Sequence, residues 1–199
     1  MRITKITAQV KTKGRYSIFI DGKYSFSLSE PALINSGLKI GRELSEEEVG
    51  AYKDESAADK LYNRTLGLLA RRPRSEWELR QYLKSKSDDP AQHEKILNTL
   101  INMGYVNDEN FARAWVETRR LLKLTSTRKL RLELMQKRIP DPIISKILKE
   151  DQTDELEVLK ELIAKKRSQT RYRDDLKLMQ YLTRQGFRYD QIKQALSED

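Results

Sequence analysis

The chain has no cysteine among its 199 residues. Disulfides, thiolate metal sites and cysteine nucleophiles are therefore excluded. Histidine is nearly as scarce: His93 stands alone among polar residues just after Pro90, with no obvious partner acid. An exposed helix position is expected for it, rather than a general base or a metal ligand. No apolar run approaches the ~18 residues a membrane span needs. The start, Met1-Arg2-Ile3-Thr4-Lys5-Ile6, lacks the long apolar segment of a secretory signal. The cytoplasm is the expected compartment, with no membrane partner. No glycine-rich run precedes a Lys-Ser or Lys-Thr pair, so a phosphate-cradling loop is missing as well. Asn107-Asp108-Glu109 reads as a helix cap in which Asp108 accepts backbone N–H bonds. No second carboxylate or histidine stands near it at ligand spacing. Without a nucleophile, paired acids or metal ligands, the chain reads as a non-enzyme that needs no cofactor.

What the chain has in abundance is charge. Charged residues make up 35% against 38% hydrophobic, and the mean hydropathy is −0.75. That is too polar for one thick core and suits thin helical layers. Lys and Arg number 39 against 30 Asp and Glu, a net charge of +9. Residues 1–56 hold 9 basic and 8 acidic side chains, so an excess of +8 falls after them. An acidic partner is implied there, either nucleic acid or a protein that handles it.

Residues 2–28 alternate in the manner of strands. Tyr16, Ile18 and Ile20 precede Asp21-Gly22, and Tyr24, Phe26 and Leu28 follow it. Asp-Gly between alternating runs signals a hairpin, because a type I′ turn needs positive φ at both central residues. A looser turn at Lys13-Gly14 joins an earlier strand through Ile6, Ala8 and Val10. Ser29-Glu30-Pro31 caps a short helix that Gly37 stops, and Ser45-Glu46-Glu47-Glu48 caps another. This β-rich module is expected to span residues 1–55.

From Ala57 onward nine helical segments fall into three groups, expected at 57–107, 108–152 and 153–199. Ser75, Leu79 and Leu83 recur as Ser126, Leu130 and Leu134, shifted by 51. Leu130, Leu134, Ile139, Ile144 and Leu148 recur as Leu178, Leu182, Phe187, Ile192 and Leu196, shifted by 48. Constant offsets of this kind mark internal repetition. The expected fold is mainly α: tandem three-helix repeats in an elongated curved array, behind a small antiparallel β meander.

Basic clusters fall at one repeat position, where a first helix ends. They are Arg71-Arg72-x-Arg74 before Ser75, Arg119-Arg120-x-x-Lys123 before Ser126, and Lys165-Lys166-Arg167 before Tyr172. Cations at helix C-termini are favoured by the macrodipole, yet three such clusters would also form a basic stripe. Arg80, Lys84, Arg128, Lys129 and Arg131 flank the leucine rows and are expected to face solvent, where they would extend it. The candidate contacts are Arg71, Arg72, Arg74, Arg80, Arg119, Arg120, Lys123, Arg128 and Arg131. Trp77, Tyr82, Tyr105, Phe111 and Trp115 are more economically read as packing than as base-stacking platforms.

At these residues the chain resembles the RecX family of bacterial regulators of the RecA recombinase. The likeness is carried by Leu69-Ala70-Arg71-Arg72 with Ser75, Glu78-Leu79-Arg80 and Leu83, and by Gly104-Tyr105-Val106-Asn107-Asp108 with Phe111-Ala112, Trp115 and Arg119. Ser126, Leu130, Glu133-Leu134, Lys137, Gly186-Phe187, Asp190, Ile192 and Leu196 continue it. The chain departs at Ser87 and Arg138, where the family pattern usually places glycine, so those helix ends are expected to close differently. The resemblance implies a regulatory protein that acts as a monomer in the groove of the RecA filament on single-stranded DNA. There it would bridge protomers, suppress ATP hydrolysis and strand exchange, and favour filament loss during recombination, DNA repair and the SOS response. A protein that binds free nucleic acid directly through its basic stripe is the alternative.

Overall fold

The strands form where the alternation places them. In the computed structural model, which describes residues 1–198, β1 (Ile3–Ala8), β2 (Arg15–Ile20) and β3 (Lys23–Ser29) make a three-stranded antiparallel sheet in chain order. Asp21 and Gly22 both have positive φ, 48° and 79°, as a tight hairpin turn requires. Ile3, Ile18, Ile20, Phe26 and Leu28 are buried with Leu38, Leu44 and Val49. Helix α1 (Glu30–Ser36) starts at the Ser29 cap and stops at Gly37, which adopts φ 62°.

The helix opened by the Ser45 capping box does not end near residue 55. It runs unbroken as α2 (Glu46–Leu69) across the expected start of the repeats. Residues 51–66 contain neither proline nor glycine to stop it. Tertiary bonds also favour its continuation. The Ser56 hydroxyl donates to the Ser27 carbonyl at 2.6 Å. Asp59 accepts from Arg15 Nη1 (2.8 Å) and from the Ser29 backbone N–H (2.9 Å). The Arg15 and Asp59 side chains are each about nine-tenths buried, so the sheet is welded to α2.

The chain forms two compact units. One comprises Met1–Arg72 with Tyr82–Thr99, and the other Pro73–Gln81 with Leu100 onward. Helices α3 (Glu76–Lys84) and α4 (Pro90–Asn102) contribute to both. In the second unit, α5 (Asp108–Lys123), α6 (Thr127–Gln136) and α7 (Asp141–Glu150) enclose Phe111, Val116, Leu130, Leu134, Ile139 and Ile144. Helices α8 (Glu155–Arg167), α9 (Asp175–Arg184) and α10 (Tyr189–Ser197) enclose Leu159, Ile163, Leu178, Leu182, Phe187 and Ile192. Pairs 48 residues apart therefore occupy equivalent core positions. Asp199, the last residue of the expected third repeat, lies outside the described residues.

The second unit also shows how one three-helix layer joins the next. Ser75 and Ser126 each cap their own helix, accepting from the N–H of Glu78 and Lys129 at 3.2 Å. Each hydroxyl then donates to a carbonyl at the end of the equivalent helix further along the chain. Ser75 donates to Lys137 at 3.1 Å and Ser126 to Gln185 at 2.6 Å. Carboxylates repeat the pattern: Asp108 accepts the Glu76 N–H at 2.8 Å, and Glu155 accepts the Thr127 N–H at 2.6 Å. Helix ends whose backbone groups lack intrahelical partners are thus satisfied by the neighbouring layer.

Arg138 and Gly186 occupy equivalent positions after α6 and α9, and both have positive φ, 58° and 94°. Arg138 adopts the left-handed geometry in spite of its Cβ, so this helix end closes as the one at Gly186 does, with matching backbone bonds, and not differently as expected. A Cβ at Gly186 would lie 2.6 Å from Ser126 Oγ, so any side chain there would force Ser126 to shift, and glycine is favoured.

Candidate partner-binding surface

The basic residues that align in sequence separate in space by what holds them. In the first unit, Arg71 and Arg72 are exposed in the turn that follows α2. Arg74 belongs to the second unit and is half-buried, with its Nε shielded from solvent and lacking a hydrogen-bond partner. Arg80 lies along α3 and pairs with Glu76 at 2.8 Å, one helical turn away.

Arg119 and Arg120 are neighbours with opposite fates. The Arg119 Nε donates to Glu133 Oε2 at 2.7 Å, and the same oxygen accepts from the Trp115 indole N–H at 2.8 Å. The guanidinium lies 4.4 Å from the centre of the Trp115 ring, and Lys137 Nζ lies 5.2 Å from it. Lys137 in turn pairs with Glu78 at 2.6 Å. Glu133 thereby orients Arg119 through Nε and leaves the two Nη groups, the fork that recognises oxyanions, unclaimed by that bond.

Arg120 departs from the expected solvent-facing stripe. It is only 9% exposed, and its three donor nitrogens go to Asp151 Oδ2, the Thr125 carbonyl and Thr127 Oγ1 at 2.7–2.9 Å. One residue along a helix turns a side chain by about 100°, so a pair of adjacent arginines presents two faces. Burial alone would raise the Asp151 carboxyl, but hydrogen bonds from Thr153 and Arg120 and the arginine charge outweigh it and hold the group below its usual 3.8.

Lys123 and Arg128 are exposed and have no ion pair among the described residues. Arg131 is half-exposed and engages Asp141 at 2.7 Å and Ser145 at 3.1 Å. In the third cluster Lys166 lies over the rings of Tyr172 and Tyr181, 5.6 and 5.0 Å from their centres, and Arg167 pairs with Asp175 at 2.6 Å. The three clusters are therefore not equivalent, although their sequence positions are.

Other expectations also need correction. Asp108 accepts a backbone N–H from α3; the cap of its own helix is Asn107, whose Oδ1 accepts from Asn110 N at 2.9 Å. Desolvation beside the Glu76 amide raises the Asp108 carboxyl above 3.8 despite that hydrogen bond. His93 is buried, 8% exposed, on the same side of α4 as Ile96 and Leu97. The polar residues around it in sequence occupy the other faces. Phe111 is buried and packs on half-buried Trp115 at 5.6 Å, but Tyr105 and Trp77 are open, 58% and 38% exposed. Gly104 at φ 75° turns the chain so that Val106, not Tyr105, enters the core.

Sequence reasoning also missed Glu133 as an organiser, because its partners lie 14 and 18 residues away. It missed Leu121, Leu122, Leu132 and Met135 as well, which are exposed apolar side chains on α5 and α6. On α6, Leu132 and Met135 fall off the i, i+4 row of Leu130 and Leu134 that enters the core. Among the described residues no helix is long and apolar enough to cross a membrane.

Three family models match the chain in order: the regulatory protein RecX N-terminal domain over residues 1–45, the RecX first three-helix domain over 62–100, and the second over 107–148. Regulatory protein RecX of Caldanaerobacter subterraneus is 30% identical over 199 residues, which cover 99% of both chains. That of Bacillus subtilis is 32% identical, covering 98% of this chain and 76% of its own. That of Listeria welshimeri is 38% identical over 150 residues, and the match spans 56% of the relative's length. A crystal structure of regulatory protein RecX superposes with a TM-score of 0.72 at 31% identity over 98% of each chain. The structure of RecX from Lactobacillus salivarius gives 0.60 at 28% identity, over 71% of this chain and 96% of that one. With three RecX domain models matched along it and a relative 30% identical over 99% of both chains, the chain belongs to the RecX family of regulatory proteins.

Proposed function

We propose that this chain modulates, and mainly inhibits, the RecA recombinase. It acts as a cytoplasmic monomer that binds the groove of the RecA filament on single-stranded DNA. There it suppresses ATP hydrolysis and strand exchange in recombination, DNA repair and the SOS response. It needs no chemistry of its own, since the hydrolysis it restrains belongs to RecA.

The observation that carries this reading is the division of labour within the α5 cluster. Arg120 is consumed internally, while Arg119 is braced by Glu133 and Trp115. Lys123, one turn further along, is exposed. A braced arginine beside an exposed lysine favours a surface that meets carboxylates or phosphates, because the entropy of ordering Arg119 is already lost before the partner arrives. Arg71, Arg72, Arg74, Arg80, Arg128 and Arg131 are the further proposed contacts. Electrostatic steering of a basic protein toward an acidic filament would speed docking.

The test is DNA-dependent ATP hydrolysis by the cognate RecA with substoichiometric additions of this protein. A charge-reversed Arg71/Arg72/Arg119/Lys123 variant is run beside it, with Arg120 left intact to preserve folding. Hydrolysis should fall with the wild type and recover with the variant. Unchanged hydrolysis, with free DNA bound at a salt slope of about −0.7 per phosphate for single strands, would replace the reading by direct nucleic-acid binding.

A further inference from the structure

The β sheet carries a charge asymmetry that is hidden when the N-terminal module is counted whole. Residues 1–29 contain Arg2, Lys5, Lys11, Lys13, Arg15 and Lys23 against Asp21 alone. The compensating acids lie after residue 29, mostly on α1 and α2. Arg15 is neutralised internally by Asp59. The other five cations are exposed and have no ion pair among the described residues.

One of these cations, Lys5, lies beside an aromatic pair near the Asp21-Gly22 end of the sheet, and Arg2 and Lys23 flank the turn itself. Lys5, Phe19 and Tyr24 lie directly across from one another on the three strands, so they share one face. The neighbouring row, Ile6, Ile18 and Phe26, points the other way and joins the core. Phe19 meets Tyr24 edge to face at 6.0 Å, with the rings inclined at 81°. Lys5 Nζ lies 5.8 Å from the centre of the Phe19 ring. Tyr24 is 53% exposed, and Lys23 and Arg2 are exposed nearby on either side of the turn. Phe19 thus braces the exposed Tyr24 ring through an edge-to-face contact, and Lys5 supplies charge beside Phe19.

We infer that this end of the sheet is a stacking platform for an unpaired base of single-stranded DNA. Tyr24 takes the base, and Lys5 and Lys23 take the flanking phosphates. A cation-rich surface alone would serve any polyanion; the braced aromatic ring selects one with accessible π-faces, which a duplex withholds. An acidic peptide would use the lysines and leave the ring without a role. The choice of DNA over RNA rests on the proposed function; the platform itself does not.

The experiment measures binding of a labelled oligothymidylate of about 16 nucleotides to the full chain without RecA, by fluorescence anisotropy across a salt series. Tyr24→Ala should weaken binding by about 5- to 150-fold, and Tyr24→Phe should stay within about twofold because the ring is kept. Lys5→Ala with Lys23→Ala should flatten the salt slope by about 1.4, for two lost phosphate contacts. Photocrosslinking through 5-iodouracil should map to the peptide carrying Tyr24. Thermal melts matching the wild type confirm that each variant is folded. Unchanged binding by Tyr24→Ala, equal loss with Tyr24→Phe, or crosslinks only beyond residue 56 would overturn the platform. Oligouridylate bound at least as tightly would overturn its assignment to DNA. Because RecA is absent, these outcomes are separate from the hydrolysis test: either reading can fail while the other stands.

Discussion

Replacing Arg120 by alanine should destabilise the second unit far more than replacing its neighbour Arg119. Arg120→Ala removes donors to Asp151, Thr125 and Thr127 at once. It also leaves the Asp151 carboxylate, whose side chain is 10% exposed, without its cation. Breaking a buried pair from one side costs about 3–5 kcal/mol, because the remaining charge stays desolvated. Asp151 keeps two bonds from Thr153, its N–H at 3.2 Å and its hydroxyl at 2.5 Å, which places the expectation near the lower end, about 3 kcal/mol. In a chain of this size that corresponds to roughly 6–12 °C in Tm. The chain's two tryptophans, Trp77 and Trp115, both lie in the second unit, so fluorescence-detected urea unfolding reports on the unit that holds the pair. Arg119→Ala, which breaks a more exposed pair, should lose about 1 kcal/mol or less. A double-mutant cycle of Arg120 with Asp151 should show coupling of at least about 1 kcal/mol. A loss below about 1 kcal/mol for Arg120→Ala, or additive single mutants, would refute the assignment of Arg120 to the fold.

At the joint between layers, Gly186→Ala should cost about 1–3 kcal/mol, since it combines an unfavourable φ with a Cβ pressed against Ser126; Ser126→Ala should cost about 1–2 kcal/mol through the lost cap. Urea midpoints would check both. Glu133→Gln should shift Trp115 emission and, on the proposed function, weaken inhibition of RecA with little loss of stability, because Arg119 is released rather than removed; unaltered inhibition would show that its bracing is irrelevant. For Asp151, whose folded-state pKa lies below the unfolded value, stabilisation is complete above about pH 4 and is lost as pH falls through the lower folded value, so Asp151→Asn should flatten the acid limb of stability against pH. Asp108 has the opposite sign: its pKa is raised, so the folded state gains relative stability as pH falls through it, and Asp108→Asn should steepen the same limb.

Periodicity and punctuation were enough to locate most of the elements. Asp21-Gly22 marked the hairpin because few other dipeptides accept two positive φ angles. Leucine rows at offsets of 48 and 51 marked the layers because equivalent core positions demand equivalent side chains. The family was legible for the same reason, since its pattern is largely a pattern of core and cap residues. What stayed hidden depended on partners distant in sequence. The continuation of α2 is favoured by Ser27 and Ser29 of the sheet, and the burial of His93 reflects which side of α4 faces inward. Most telling is Arg119-Arg120, two identical residues in an identical local pattern. The sequence alone determined that α5 would end in a cluster of cations. Only the tertiary structure, by placing Glu133 beside one guanidinium and Asp151 beside the other, decided that the first is braced at the surface and the second is buried within the fold, because an ion pair forms wherever packing brings opposite charges together out of water.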